Sequence, residues 1–222
     1  MMKDKIKYSI SDGEPIVIAL PRSAPIQITP FPKIQQLCEH WQSKGYKTLI
    51  DIGCGRLRNS LFLVNYFKIW ICDFPTLFQS PVMEKRFERL KKHSNFMGLV
   101  DPSELGKRNL QAHAAVLAFV LHTLPEKRFR VTLVNNAIKN TIAPHEIFVA
   151  VPNGESYYRQ RMQKKNQLND GFIFDAGAGN HTFYREYSAK EIDEFMDELG
   201  FRVDKVFPGE KKNQRTYVRN AK

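Results

Sequence analysis

An apolar run ending in an acid and two closely spaced glycines is the part of this chain best suited to chemistry. It reads Thr48-Leu-Ile-Asp-Ile-Gly-Cys-Gly55, and a second apolar run, Ile69–Cys72, ends in another acid, Asp73. The order is that of a strand, a tight turn, a helix, a second strand and a carboxylate. An open α/β sheet builds a nucleoside pocket in this way, at the carboxyl ends of neighbouring strands. Glycine lets the backbone approach a ligand because no Cβ stands between them. Asp73 arrives about where a ribose offers its hydroxyls. A dinucleotide site prefers Gly-x-Gly-x-x-Gly, because a pyrophosphate must nest on the helix N-terminus. Here Arg56, Leu57 and Arg58 follow Gly55, and the third glycine is missing in either register. These residues point to a nucleoside-bearing cofactor and leave its class open.

The elements that must hold these residues alternate along the chain. Ile34, Leu37, Cys38 and Trp41 form one face of an amphipathic helix, closed by Gly45. Thr48–Ile52 reads as the first strand, Leu57 to about Phe67 as the helix after the glycine turn, and Ile69–Cys72 as the second strand. Pro81 at the first helical position, capped by Ser80, opens a helix that buries Met83, Phe87 and Leu90. Phe96–Val100 is a third strand ending at Asp101, and Ala114–Leu121 has the unbroken apolar character of a central parallel strand. Phe129, Leu133, Ala137 and Ile138 mark another helix, and Ile147–Val151 a fifth strand.

Two stretches depart from this plan. Prolines at 15, 21, 25 and 30 make residues 1–30 an extended N-terminal arm. Residues from about 153 to 187 are polar, aromatic and glycine-containing, and read as an insertion or lid. Order returns at Ser188-Ala-Lys-Glu191, a capping box, followed by Ile192, Phe195, Met196 and Leu199 on one helical face and by Gly200. Arg202–Phe207 and Arg215–Arg219 then close the chain as a strand pair. The expected architecture is a single α/β domain over residues 31–222. Its sheet is seven-stranded, mostly parallel and doubly wound, with a C-terminal antiparallel β-hairpin.

Composition bounds the partners. The 222 residues hold 34 Lys and Arg against 23 Asp and Glu, a net charge of +11. Such a surplus attracts polyanions, or serves only solubility. The cysteines, Cys38, Cys54 and Cys72, lack metal-ligand spacing, so no metal site is expected. An odd count at apolar positions suits a reduced, cytoplasmic protein. The short apolar stretch within Pro15–Pro21 cannot form a signal-peptide core or a membrane span.

With its motifs in place, the chain resembles the class I S-adenosylmethionine-dependent methyltransferases over roughly residues 31–220. Asp51-Ile-Gly-Cys-Gly-Arg-Leu-Arg-Asn-Ser60 is similar to the family's first motif, with Leu57 where the last glycine usually stands. Asp73 matches the acid that ends the second strand. Ala115-Val-Leu-Ala-Phe-Val-Leu-His-Thr-Leu-Pro125 resembles the fourth-strand segment often written Val-Leu-His-His-Leu-Pro. Gly200-Phe201 and the closing hairpin resemble the family's C-terminal end. The resemblance implies S-adenosylmethionine as cofactor, with Asp51 acting on its ammonium group and Gly53, Cys54 and Gly55 bordering it. It also implies that Asp73 binds the ribose and Asp101 is a candidate for the adenine amino group.

The acceptor is less legible. The chain has His-Thr-Leu-Pro where amino-methylases of DNA bases carry Asn/Asp/Ser-Pro-Pro-aromatic, and no cysteine follows a proline as a cytosine-C5 enzyme needs. His122, His181 and Tyr157 are candidate catalytic groups. Tyr158, Arg159, Arg161, Lys164 and Lys165 combine an aromatic with a basic run, which suits stacked bases and phosphates or a charged lid helix. Tyr184 and Arg185 are further candidates to touch the acceptor, and Arg56 and Arg58 add positive potential at the pocket rim. Three readings follow: methyl transfer to RNA or DNA, methyl transfer to a small molecule under a closing insertion, or a non-catalytic cofactor-binding module that recruits a partner. The charge slightly favours the first.

Overall fold

The computed structural model describes residues 5–8, 16–20, 29–153, 162–163, 166–177, 179–208 and 212–220. Its centre is a seven-stranded sheet. The strands are β3 (Thr48–Ile52), β4 (Lys68–Cys72), β5 (Phe96–Val100), β6 (Ala112–Ala118), β7 (Thr141–Pro152), β11 (Arg202–Phe207) and β12 (Lys212–Arg219). They lie in the order β11-β12-β7-β6-β3-β4-β5. β3, β4, β5, β6 and β7 pair in parallel, and β12 runs antiparallel to both β7 and β11. The hairpin therefore places one reversed strand inside an otherwise parallel sheet, as the sequence led one to expect.

Helices cover both faces. Against one lie α1 (Ile34–Ser43), α2 (Ser60–Leu63) and α3 (Pro81–Lys91), which bury Leu37, Trp41, Leu63 and Met83 with Leu49, Ile69, Val116 and Phe148 of the sheet. Against the other lie α4 (Pro102–Leu105), α5 (Lys127–Asn140) and α6 (Ala189–Glu198), whose Leu105, Val134, Ala137, Ile192 and Met196 pack on Ile50, Leu117, Ile147 and Val149. Neighbouring residues of a strand belong to opposite cores because side chains alternate across the pleat.

Local chemistry fixes the helix ends as read. The Ser80 hydroxyl accepts the Met83 N–H at 3.4 Å, ahead of Pro81 at the first helical position. At α6 the Ser188 hydroxyl accepts the Glu191 N–H at 3.2 Å while the Glu191 carboxylate accepts the Ser188 N–H at 2.8 Å. Each satisfies an amide that the helix leaves without a partner.

Three elements differ from expectation. The helix after the glycine turn spans only Ser60–Leu63 and not Leu57 to Phe67. Leu57 takes a left-handed φ of 60°, and a right-handed helix cannot start through it. The fourth parallel strand ends at Ala118 and not Leu121, because Phe119 turns to φ 61°. Leu121–Thr123 forms a single 3-10 turn instead.

The third difference is a second sheet. β1 (Lys5–Tyr8) and β2 (Ile16–Ala19), from the N-terminal arm, join β8 (Gln167–Leu168), β9 (Gly171–Gly177) and β10 (Asn180–Tyr184), from the insertion, in the order β1-β2-β10-β9-β8. The contact between arm and insertion is a parallel bridge from Ile18 to His181. Neither stretch has a periodic signature strong enough to pair them from sequence, since a pairing this distant along the chain is set by tertiary contact.

The second sheet joins the body through Ile18, Leu20 and Phe183 in one core and through several polar contacts. Asp170, in the β8–β9 turn, forms ion pairs with both Arg130 of α5 and Arg185. Asn169 donates to the Pro125 carbonyl at 3.1 Å, and the Arg185 N–H to the His122 carbonyl at 2.9 Å. No described helix is long and apolar enough to cross a membrane.

Candidate functional site

The glycine turn has the conformation its residues allow. Gly53 and Gly55 have φ of 72° and 52°, in the left-handed region where a Cβ is disfavoured. A Cβ on Gly53 would meet Val120 Cγ2 at 2.6 Å, so the loop after β6 closes on the turn only because that residue is glycine. The Gly53 amide donates to the Cys72 carbonyl at 2.8 Å and ties the turn to the end of β4. Leu57 adopts glycine-like geometry at a cost of about 1–2 kcal/mol. Its side chain is fully buried with Leu63 and Ile71, and that burial is worth more, about 2–3 kcal/mol. Core packing thus outweighs strain at the position where the resemblance predicts a third glycine.

Two carboxylates stand at this end of the sheet. Asp73 is 8 % exposed; its Oδ2 accepts the Gly55 amide at 2.7 Å and its Oδ1 the Phe74 amide at 2.8 Å. The Cys54 thiol is a third donor, so of about four acceptor sites one is left for a further donor. Burial pushes its pKa up to about 6, and the backbone hydrogen bonds from Gly55 and Phe74 hold it from rising further. Asp51 is buried below the turn, with Oδ2 accepting the Ser60 hydroxyl at 2.6 Å. Burial pushes its pKa up to about 7; the Ser60 hydrogen bond opposes the rise, the Asp73 charge adds to it and the Arg58 charge opposes it. The hydrogen-bond donors Ser60, Gly55 and Phe74 are neutral, and the Arg58 charge is the cationic influence on Asp51.

A pocket opens at this end of the sheet. Ile52, Gly53, Cys54, Gly55, Cys72, Asp73, Phe74, Leu77 and Pro102 line one side. Arg56, Arg58, Asn59, Phe119, Val120, Thr123, Leu124 and Leu133 continue the wall, and Leu20, just after β2, reaches it from the lid sheet. Of the residues that the sequence nominated for the cofactor, Gly53, Cys54, Gly55 and Asp73 are on this wall. Asp51 sits beneath it. Asp101 caps α4, its Oδ1 accepting the Ser103 amide at 2.8 Å, and Pro102 is the lining residue there.

The acceptor-side nominees are dispersed. His122 is 8 % exposed, and its Nδ1 has no hydrogen-bond partner. Burial, reinforced by the Arg58 charge, pushes its pKa down to about 3, so it is neutral and a weak base. Its ring meets Phe119 and Tyr184 edge-on, with centroids 6.2 and 5.5 Å away. Tyr184 is buried at the end of β10. His181 sits on the same strand, half-buried, its Nδ1 without a partner. Arg185 pairs with Asp170 and Glu191 and stacks over Tyr187 at 4.3 Å, which makes it a fastener of the lid. Tyr157, Tyr158, Arg159, Arg161, Lys164 and Lys165 lie outside the described residues.

Sequence reasoning passed over Leu20, Phe119 and Leu133 as site residues. Leu133 reads as ordinary helix core and Leu20 as part of a proline-rich arm. Phe119 carries no local signal for its positive φ.

The sheet order, the reversed strand β12 and the turn between β3 and α2 settle the architecture. The fold is that of the class I S-adenosylmethionine-dependent methyltransferases. A Methanosarcina mazei S-adenosylmethionine-dependent methyltransferase matches with a TM-score of 0.64 at 14% identity, covering 87% of this chain and 100% of that one. The Burkholderia thailandensis 1,6-didemethyltoxoflavin-N1-methyltransferase, solved with 1,6-didemethyltoxoflavin and S-adenosylhomocysteine, matches at 0.59 and 12% identity, covering 86% and 79%. The Synechocystis magnesium protoporphyrin IX methyltransferase, with bound S-adenosylhomocysteine, matches at 0.59 and 11% identity, covering 85% and 82%. No protein-family model matches the sequence, and no curated protein matches it. What is shared is the fold, at 11–14% sequence identity.

Proposed function

We propose that the chain is an S-adenosylmethionine-dependent methyltransferase acting on a small-molecule acceptor. The observation that carries this reading is the pair of buried carboxylates, Asp51 and Asp73, with the neutral donors Ser60, Gly55 and Phe74, at the glycine turn of a methyltransferase fold. A nucleoside sulfonium with an ammonium group fits that donor set. Asp73 has acceptor capacity left for a ribose hydroxyl, and Asp51 would favour the ammonium group directly or through water. The backbone of Gly53 and Gly55 borders the ligand without a Cβ. Asp101 holds the Ser103 amide through Oδ1, which leaves Oδ2 for the adenine amino group.

S-adenosylmethionine brings an already activated methyl group, so the protein's task is to align the acceptor and exclude water. Phe119, Leu124 and Leu133 give the wall its apolar surface, and Leu20 brings the lid sheet over it. A concave, partly apolar pocket of this kind suits a small molecule. Neighbours of this fold include enzymes solved with small acceptors, the toxoflavin precursor among them. RNA or DNA as acceptor rests on the net charge of +11 and on basic residues outside the described segments. The three buried free cysteines support a reducing, cytoplasmic setting.

Calorimetric titration with S-adenosylmethionine and S-adenosylhomocysteine, with NAD as control, tests the cofactor. Micromolar binding of the two sulfur compounds and none of NAD is the expected result; absence of the former defeats the proposal. Salt-sensitive binding of RNA or DNA with methyl uptake would move the acceptor from metabolite to nucleic acid.

A further inference from the structure

One polar side chain of the pocket has a donor that the described contacts leave unused. Asn59 is 4 % exposed and lines the pocket, at the end of the glycine turn. Its Oδ1 accepts the Phe31 amide at 3.3 Å, which fixes the orientation of the side chain, since only the oxygen can meet an N–H donor. The NH2 end then lies away from Phe31, and no described residue accepts from it. Asn59 stands at the start of α2, yet its side chain caps no helix amide. A buried amide with an unused donor is uncommon and calls for a partner. Its chain neighbour Ser60 donates to Asp51 Oδ2 at 2.6 Å, so Asn59 and Asp51 belong to the same corner of the site. The charge of Arg58, on the other side of Asn59 in the chain, also acts on Asp51.

Resting on the methyltransferase reading above, we propose that Asn59 binds the carboxylate at the methionine end of the cofactor and makes the site selective for a zwitterion. The ammonium and carboxylate of an amino acid sit on one carbon. A ligand whose ammonium is drawn to Asp51 therefore brings its carboxylate into the same corner. Asp51 and Asp73 repel that carboxylate, so a donor beside them is needed to hold it. The Asn59 NH2 offers two hydrogens and no usable lone pair, and it favours an anion over a cation. Hydrogen bonds to a charged acceptor are about twice as strong as neutral ones. The donor is also set in advance. Phe31, which holds the oxygen end, is itself buried and stacked on Phe148 with ring centroids 4.8 Å apart. A nucleoside sulfonium with a bare aminopropyl chain has the ammonium for Asp51 and nothing for Asn59. The chain should therefore distinguish S-adenosylmethionine from its decarboxylated form, two ligands that differ only in this group.

The test titrates S-adenosylhomocysteine and its decarboxylated analogue, which keeps the ammonium and lacks the carboxylate, into the full chain. The titrations are run at about pH 8, where Asp51 is ionised. Wild-type protein should prefer S-adenosylhomocysteine by about tenfold or more. Asn59→Asp keeps an oxygen for the Phe31 amide and sets an anionic oxygen where the NH2 stood. It should lose that preference or reverse it, with the analogue bound at least as tightly as by wild-type protein. Asn59→Ala, the second variant if the aspartate does not fold, should bring the two probes to near parity. Equal binding of both probes by wild-type protein overturns the proposal. So does either variant that keeps the wild-type preference, since the carboxylate would then be held by another group, such as Arg58. A variant that loses both probes alike overturns it too, because a purely structural Asn59 acts in that way. If wild-type protein binds no S-adenosylhomocysteine, the methyltransferase reading falls and this one with it; cofactor binding that ignores Asn59 defeats this one alone.

Discussion

The two ends of the main sheet treat buried carboxylates in opposite ways. At the amino end, Glu146 of β7 is fully buried. It accepts from Trp41 Nε1 at 2.6 Å, Lys44 Nζ at 2.6 Å and Tyr46 Oη at 2.9 Å, with His40 Nε2 at 3.2 Å. Asp204 of β11 shares Lys44 at 2.7 Å and His40 at 3.0 Å. Burial would raise the Asp204 pKa, but the hydrogen bonds and charges of Lys44 and His40 hold it below the usual range. Lys44 shifts upward for the same reason, its two acid partners outweighing burial. At the carboxyl end, Asp51 and Asp73 have neutral donors in the described contacts and pKa values raised to about 7 and about 6. The amino-end cluster has cations hydrogen-bonded directly to its acids; at the carboxyl end the Arg58 charge only partly offsets the burial of Asp51.

The contrast also bears on metals. The ligating atoms of His40, Glu146 and Asp204 lie within 4.8 Å of one another, near enough for an ion. The Lys44 ammonium already occupies the space between both acids, so an ion would have to displace it. The cluster is therefore read as a structural clamp joining α1 to β7 and β11.

The largest expected effect breaks the amino end. Glu146→Ala leaves Lys44, Trp41 and Tyr46 without their acceptor and should cost about 3–5 kcal/mol of stability. S-adenosylhomocysteine affinity of the folded fraction should not change; chemical denaturation and calorimetry check the two halves. A weakened cofactor site would mean that the ends are coupled. At the carboxyl end the pattern should invert. Asp73→Ala should lower S-adenosylmethionine affinity about a hundredfold, by loss of hydrogen bonds to a charged group, and spare the fold. Unchanged affinity would remove Asp73 from the ribose role.

Two smaller effects sharpen the comparison. Leu57→Gly relieves the positive φ but vacates a fully buried position, and should destabilise the protein by a net of about 1–3 kcal/mol. A gain in melting temperature would show that strain, not packing, governs the turn. The least effect is in pH. The folded pKa values of Asp51 and Asp73 lie above their ordinary 3.8, so below them the acids keep their protons and a cationic ligand is disfavoured. Cofactor affinity should therefore rise about tenfold from about pH 5 to about pH 8, with proton release. The stability of the unliganded protein should fall over about pH 4 to 7, as the buried acids are forced to ionise. Calorimetry in buffers of different ionisation enthalpy, with melting curves, reads both; a flat profile would place the two acids outside the binding event.

The sequence by itself determined the alternating α/β body, the capped helices, the reversed terminal strand and the glycine turn beside Asp73. Each of these is written in short-range terms: the period of apolar residues, a capping box within four positions, glycines where φ must be positive. It also carried the family resemblance through Asp51–Ser60 and Asp73. Only the tertiary structure decided that the N-terminal arm and the insertion join as one sheet, through Ile18 and His181. It also decided that Arg185 fastens this sheet and that Leu20, Phe119 and Leu133 meet at the pocket. Pairing between strands more than a hundred and fifty positions apart depends on long-range burial, which no local pattern encodes. The fate of each acid followed the same rule. Glu146 and Asp51 sit alike in apolar strands of the sequence, and only the neighbours that folding brings to them make one a clamp and leave the other poised for a ligand.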